Sequence, residues 1–176
     1  DNSGAWDAIG EFVYGTDRVA TAEHIAFAGD VFQELLRIRS SSPLFRLTTG
    51  DDIKARVGFH NIGRTQQPGV IAMSIDDGAD FADLDENVDA IMVVVNSNYD
   101  EVSIRVNTAT GFTLHDIQAA SVDEVVRGAS FAEGIDDDEG NGLFTVPAQT
   151  IAVFVKEQGA EQGTGLSAFA TAGAPD

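Results

Sequence analysis

Two stretches of this sequence carry enough oxygen-bearing side chains to hold a hard cation. Residues 136–142 read DDDEGNG, and residues 76–89 hold seven acidic side chains in fourteen positions. Ca²⁺ takes about six to eight oxygen ligands on a turn flexible enough to wrap around it. Asp136, Asp138 and Glu139 are therefore calcium-ligand candidates, with Asp76, Asp77 and Asp80 as a second set. Neither set has the EF-hand spacing, because no glutamate stands at the twelfth position. In a chain of net charge −19 a solvated acidic turn accounts for both. Calcium is the one cofactor the pattern admits, and no metal site is assigned.

Other chemistry finds less support. His24, His60 and His115 lie far apart, and none stands in an HxH or HExxH spacing. The absence of cysteine excludes disulfides, thiolate metal sites and cysteine nucleophiles. No GxSxG elbow is present, and no motif ties a serine to a histidine and an acid. Carboxylate pairs for glycosidic acid–base work can be drawn from 29 acids at will, so no pair stands out and no catalytic residue is assigned. A sugar-binding platform needs exposed aromatic rings, and Trp6, Tyr14 and Tyr99 are the candidates, since most phenylalanines fit core positions.

Positioning any of these groups falls to two kinds of element. Residues 6–14 form a short helical candidate, and residues from Thr21 onward form a long one. On a 3.6-residue wheel Ile25, Phe27, Ala28, Val31, Phe32, Leu35, Leu36 and Ile38 fill about half the circumference, wider than the ~100° stripe of a surface helix. Thr21 is the expected N-cap with Glu23 in the first turn, and Arg37 and Arg39 suit the C-terminal dipole. Ser40-Ser41-Ser42-Pro43 then stops the helix. His24 falls in the apolar half, which predicts a hydrogen bond at a packing interface. Arg39 lies on the same side, placed to meet a neighbour's carboxylate or to snorkel.

From about residue 53 the period becomes two, or the sequence runs in short apolar blocks. Strands are expected at 53–60, 70–75, 90–96, 102–106, 112–117, 122–126, 143–146 and 150–155. The runs AIMVVV (90–95) and IAVFV (151–155) are apolar throughout, as in central strands buried on both faces. Gly, Asn and Asp turns between many short strands predict a mainly β protein, an antiparallel β-sandwich of about seven or eight strands behind a helical segment. The expected divisions are 1–47 helical, 48–156 sandwich and 157–176 a flexible Gly/Ala-rich tail.

An excess of 29 acidic over 10 basic residues repels phosphate backbones and argues against nucleic acid as a partner. No apolar run approaches the ~20 residues of a membrane span. The sequence opens on Asp1, and its methionines are Met73 and Met92. It therefore reads as a processed product or a piece of something larger, with any targeting segment upstream.

Several blocks resemble a known arrangement. LLRIRSSSPLFRL (35–47), RVGFHNIG (56–63), PGVIAMSIDDG (68–78), LDENVDAIMVVVNSN (84–98) and FTVPAQTIAVFV (144–155), in that order, are similar to the C-terminal part of pullulanase-type α-1,6-glucosidases of the α-amylase superfamily. The resemblance covers about residues 20–155. It implies a parent whose (β/α)8 barrel hydrolyses α-1,6 branch points in α-glucan by a retaining double displacement, secreted or held at the bacterial cell surface or in the periplasm. Residues 21–39 would be the last barrel helix, and the missing barrel would be the sandwich's partner, with Phe32, Leu35, Leu36, Leu44 and Phe45 near the junction. The family's catalytic acids come from upstream strands, so none is carried over and the chain itself is expected to be inactive. The charged loop at 133–142 and the tail depart from the family pattern.

Without that barrel the apolar half of the helix must fold back on the sandwich or pair with a second copy, giving a homodimer through Val31, Phe32 and Leu35. Because both acidic stretches read as solvated turns, the melting temperature should be the same in EDTA as in millimolar CaCl₂; a rise of several degrees with calcium would reverse that assignment.

Overall fold

The computed structural model describes residues 2–15, 19–134 and 140–166. A 3-10 turn at Ser3–Ala5 leads into helix α1 (Trp6–Tyr14), which buries none of its residues. Helix α2 (Ala22–Ser41) starts where the capping chemistry demands. Thr21 Oγ1 accepts from His24 N at 3.3 Å, and His24 Nδ1 accepts from Thr21 N at 3.3 Å. An imidazole thus takes the place usually held by Glu or Gln in a capping box. His24 is exposed and serves the helix end, contrary to the packing role its wheel position suggested. Ser42, extended ahead of Pro43, closes α2, and its Oγ accepts from Leu44 N to start the 3-10 turn Pro43–Arg46.

Among the described residues, eight strands form two antiparallel sheets. The larger runs in the order β1 (Val57–Phe59), β2 (Val70–Asp76), β3 (Val88–Asn96), β8 (Thr150–Glu157), β5 (Phe112–Leu114). The smaller runs β4 (Val102–Asn107), β7 (Asn141–Val146), β6 (Ser130–Glu133). Between the sheets lies a core to which β3 contributes Ala90, Met92 and Val94, β8 contributes Ala152 and Phe154, and β7 contributes Phe144 and Val146. Phe144 meets Phe112, Phe131 and Phe154 with ring centroids 4.7–5.2 Å apart.

The alternate residues of β3 and β8 face the other way. Ile91 and Val153 form a second core with Ile38 and Leu44, against which Leu35, Phe45, Val93 and Val155 pack. Register places Met92 opposite Phe154 and Val93 opposite Val153, so both faces of this strand pair are apolar in phase. The C-terminal half of α2 covers the outer face. The protein is therefore three layers deep, helix on sheet on sheet, and the two solidly apolar runs are its middle.

Three expected strands take other forms. Residues 50–56 make helix α3 (Gly50–Arg56), because Thr49 Oγ1 accepts from Asp52 N at 3.0 Å and the charges at both ends suit the dipole; only β1 remains of the expected strand. The strand at 112–117 ends at Leu114, and a one-turn helix α4 (Asp116–Ala119) follows. Gln118 then carries the ladder onward with its side chain, accepting from Val153 N and donating to Ile151 O, each at 2.7 Å. Residues 121–125 turn because Ser121 Oγ and Asp123 Oδ1 accept from Asp123 N and Val125 N. Strand β6, whose apolar contribution is Phe131, has no counterpart among the expected strands.

The segment after β8, expected to be a flexible tail, is tied down as far as Leu166. Gly163 N donates to Asp89 Oδ1 at 2.9 Å, Leu166 N donates to Asp76 Oδ1 at 3.0 Å, and Leu166 is fully buried in the inter-sheet core. A Cβ at Gly165 would collide with the Asp76 carboxylate and with Gly78 N, so the chain can pass there only as glycine.

His115 joins α2 to the sandwich. Its Nδ1 accepts from Ile117 N at 3.2 Å and its Nε2 meets Ser41 Oγ at 3.1 Å, while Ser41 Oγ donates to Ile38 O. Burial holds the imidazole below its ordinary 6.5, with the Asp116 carboxylate pulling the other way. The unfolded chain thus binds a proton below 6.5 that the folded His115 refuses, so stability is complete above that pH and falls as pH drops toward the lowered folded value. A melting-temperature profile from pH 7.5 to 5.5 should decline, and His115→Gln should flatten the decline; parallel profiles would refute the linkage.

Candidate functional site

The acidic stretch at 76–89 is a buried anchor, where its charge had suggested a solvated turn. Asp76, Asp77, Asp85 and Asp89 are all buried. Each accepts from backbone N–H groups: Asp76 from Gly78 and Leu166, Asp77 from Leu84 and Asp85, Asp85 from Asn87, Asp89 from Gly163; Asp85 Oδ2 is buried without a partner. Arg56, at the end of α3, is the cation of this network. Its Nη1 forms a close ion pair with Asp77 Oδ1 and donates to Asp76 O, its Nη2 donates to Ala82 O at 2.7 Å, and its guanidinium lies 4.7 Å from the Phe81 ring. Burial pushes the Asp77 carboxyl above its ordinary 3.8, and the Asp85 and Leu84 amides with Arg56 draw it back down. Asp80 is exposed.

No group of three His, Asp or Glu side chains is placed to hold a metal among the described residues. Asp136, Asp138 and Glu139 lie outside the described residues. The three histidines stay apart: His24 caps α2, His115 sits under it, and His60 is buried with Nε2 2.7 Å from Ser74 Oγ. Trp6, Tyr14 and Tyr99 are all exposed, but on separate places. Trp6 and Tyr14 occupy opposite ends of α1, about 12 Å apart along its axis, and Tyr99 stands in the turn between β3 and β4.

What the fold leaves most conspicuously unused is one side of α2. Residues 22–30 are all exposed, so the helix projects beyond the sheet that covers its second half. Ile25, Phe32 and Leu36 remain 65%, 61% and 48% exposed. At 100° per residue these three fall within about 40° of one another, about 130° around the axis from Val31, Glu34, Leu35 and Ile38. The second group faces the sandwich: Ile38 is buried, Leu35 packs on the outer core, and the buried Glu34 accepts from Ser121 Oγ at 2.5 Å and Val122 N at 3.1 Å. The wide apolar half seen in sequence is thus two stripes, one used internally and one open. Of the three residues expected at a self-pairing surface, only Phe32 lies on the open stripe. Of the five residues expected near a junction with a barrel, Leu35, Leu44 and Phe45 pack on the outer core of the sandwich, and Phe32 and Leu36 are exposed.

Such a structure defines an antiparallel β-sandwich domain carried on a helical arm. Residues 1–157 match the model of the family described as "Alpha-1,6-glucosidases, pullulanase-type, C-terminal". Pullulanase 1, chloroplastic, of Arabidopsis thaliana is 38% identical over 143 residues, which are 78% of this chain and 14% of that protein. The crystal structure of ligand-free PulA from Klebsiella pneumoniae superposes with a TM-score of 0.76 at 33% identity, covering 95% of this chain and 15% of that one. A Klebsiella pneumoniae pullulanase complexed with maltotriose gives a TM-score of 0.65 at 36% identity, over 77% of this chain and 12% of that one. The chain belongs to the C-terminal domain family of pullulanase-type α-1,6-glucosidases. It spans about one seventh of the curated relative's length, and none of its described helices is long and apolar enough to cross a membrane.

Arg56 escaped the sequence reading, since a lone arginine between a helix and a strand has no spacing signature. Its removal strands the buried Asp77 carboxylate. Arg56→Ala should cost about 3–5 kcal/mol in urea unfolding, against about 0.5 kcal/mol or less for Arg127→Ala, whose partner Glu124 is exposed. Equal costs would show that the network contributes nothing particular.

Proposed function

We propose that this chain is the non-catalytic closing domain of a starch-debranching pullulanase whose catalytic barrel precedes it. In that reading residues 1–47 are the helical end of the barrel, the sandwich of 48–156 supports it, and the parent cleaves α-1,6 bonds in α-glucan. The observation that carries the reading is the open stripe Ile25, Phe32 and Leu36, an apolar face that the sandwich leaves uncovered. The family match and the small share of each relative's length support it. Secretion, or retention at a bacterial cell surface or periplasm, belongs to the proposal for the parent.

Asp77, fully buried, is committed to the Leu84 and Asp85 amides and to Arg56, which supports a silent domain. Phe32→Asp separates the stripe's two roles. In the isolated chain, where Phe32 is exposed, it should change stability by no more than about 0.5 kcal/mol. In the longer polypeptide, where the stripe is covered, it should cost about 2 kcal/mol or more. The longer polypeptide should hydrolyse pullulan, and this chain alone should not. Pullulan hydrolysis by the isolated chain, or an equal effect of Phe32→Asp in both contexts, defeats the reading. Maltotriose binding by the isolated chain that is lost in Trp6→Ala or Tyr99→Ala would favour a glucan-binding module in its place.

A further inference from the structure

Half of the outer face of the larger sheet is left open. Ile71, Val95 and Ile151 stand in register there, and Phe59, Met73 and Val93 form the neighbouring row. None of the six is polar, and Phe59, Ile71 and Ile151 are exposed. A sheet with one face in water normally carries polar side chains on that face. Helix α2 runs over β8 and covers the rest, since Leu35 and Ile38 pack with Val153, and Val31 shares a small cavity with Ile151 and Gln118.

The helix turns a definite flank to the open half. On one side Glu34 meets Ser121 and Val122. Arg39 lies about 140° further round and shares a groove of about 270 Å³ with Val57 of β1 and Ile75 of β2. Phe32 falls about 20° from Arg39 and Leu36 about 60°, so the open stripe of α2 stands as a wall beside the open floor. Packed helices lie about 8–10 Å apart and neighbouring strands about 4.8 Å, so a second helix beside α2 would run over β2. The trough has the width of one helix. At one end Arg39 and Arg46 line the groove with no carboxylate beside them, and neither has an ion pair among the described residues.

The chain carries a helix of matching form. Helix α1 buries none of its residues. Its Trp6, Ile9 and Val13 are exposed and fall within about 60° of one another, with Asp7 and Glu11 on the far side. Its length of about 13 Å equals about four residues of strand, the span from Ile71 to Ile75. It has two carboxylates and no cation, and its C-terminal carbonyls suit a pair of arginines.

We propose that α1 of a second copy lies in this trough, Trp6 over the row of Ile71 and Val95 and its C-terminal end toward Arg39 and Arg46. Exchanged both ways about a two-fold axis, the pair removes on the order of 1,400 Å² from water, enough for a specific interface. The pairing concerns this chain on its own and does not draw on the function proposed above.

Trp6 is the single tryptophan, so its emission reports the contact. Sedimentation from ~1 to ~500 µM should show monomer passing to dimer with Kd of ~10–100 µM, the dilute chain being a monomer with Phe32 exposed. The emission should move to the blue over the same range. Trp6→Glu and Ile71→Glu change exposed side chains, so each should weaken dimerisation at least ~10-fold and leave the melting temperature of the dilute chain unchanged. The two variants mixed should pair more tightly than either alone, because the mixture holds one intact helix and one intact trough. A chain that stays monomeric over the whole range overturns the proposal. So does a blue emission independent of concentration, the mark of α1 lying in the trough of its own chain. A dimer that survives both substitutions, or that mixing does not restore, overturns it as well.

Discussion

The rest of the molecule depends on a strand pair that must be dry on both faces. Strands β3 and β8 send Met92, Val94, Ala152 and Phe154 toward the smaller sheet and Ile91, Val153 and Val155 the other way. A two-sheet sandwich normally leaves its outer faces to water. Here the outer face of the larger sheet is apolar, so something must cover it, and the C-terminal half of α2 does so with Leu35, Ile38 and the following Leu44. Burying Ile91 and Val153 contributes about 1.5–3 kcal/mol each, and all of it requires the helix. The helix is therefore an integral layer of the domain, while its first half stands clear of the sandwich.

The electrostatic design follows from the same geometry. A chain of net charge −19 would repel itself if its acids simply crowded a turn. The stretch 76–89 avoids this by turning four aspartates inward, where backbone N–H groups and one guanidinium meet them. Arg56 links α3, the end of β2 and the loop at Phe81 and Ala82 in one contact set. The segment that follows β8 is then clasped by the same aspartates, which is why residues 162–166 lie against this loop with Leu166 in the core. The carboxylates of Asp76, Asp77 and Asp89 are engaged by structure, and Asp85 Oδ2 is buried without a partner.

Membership of the pullulanase C-terminal family gives the open stripe on α2 its meaning. Glu34 marks the divide along the helix: it is the first buried residue, hydrogen-bonded to Ser121 and Val122, and every residue from 22 to 30 is exposed. The inner stripe of the helix closes the sandwich, and its outer stripe and first half stay exposed.

Much of this was legible in the order of residues. The cap at Thr21 and the stop at Pro43, the two-faced runs of β3 and β8, the alternation of β4 and the helical-then-β plan are all written in local periodicity and capping, which depend on near neighbours along the chain. The sandwich class and the family blocks were equally readable. Residues distant in sequence decided the rest. Gln118 replaced strand backbone with a side-chain amide because the edge of β8 lay beside it, whereas the helix that replaces the strand-like pattern around Ile53 rests on a local cap, Asp52 N on Thr49 Oγ1. Whether Asp77 meets water or Arg56, and whether Leu36 or Leu35 meets the sandwich, cannot be written in spacing alone. Burial is a property of what folds against a residue, and only the tertiary structure brings those partners together.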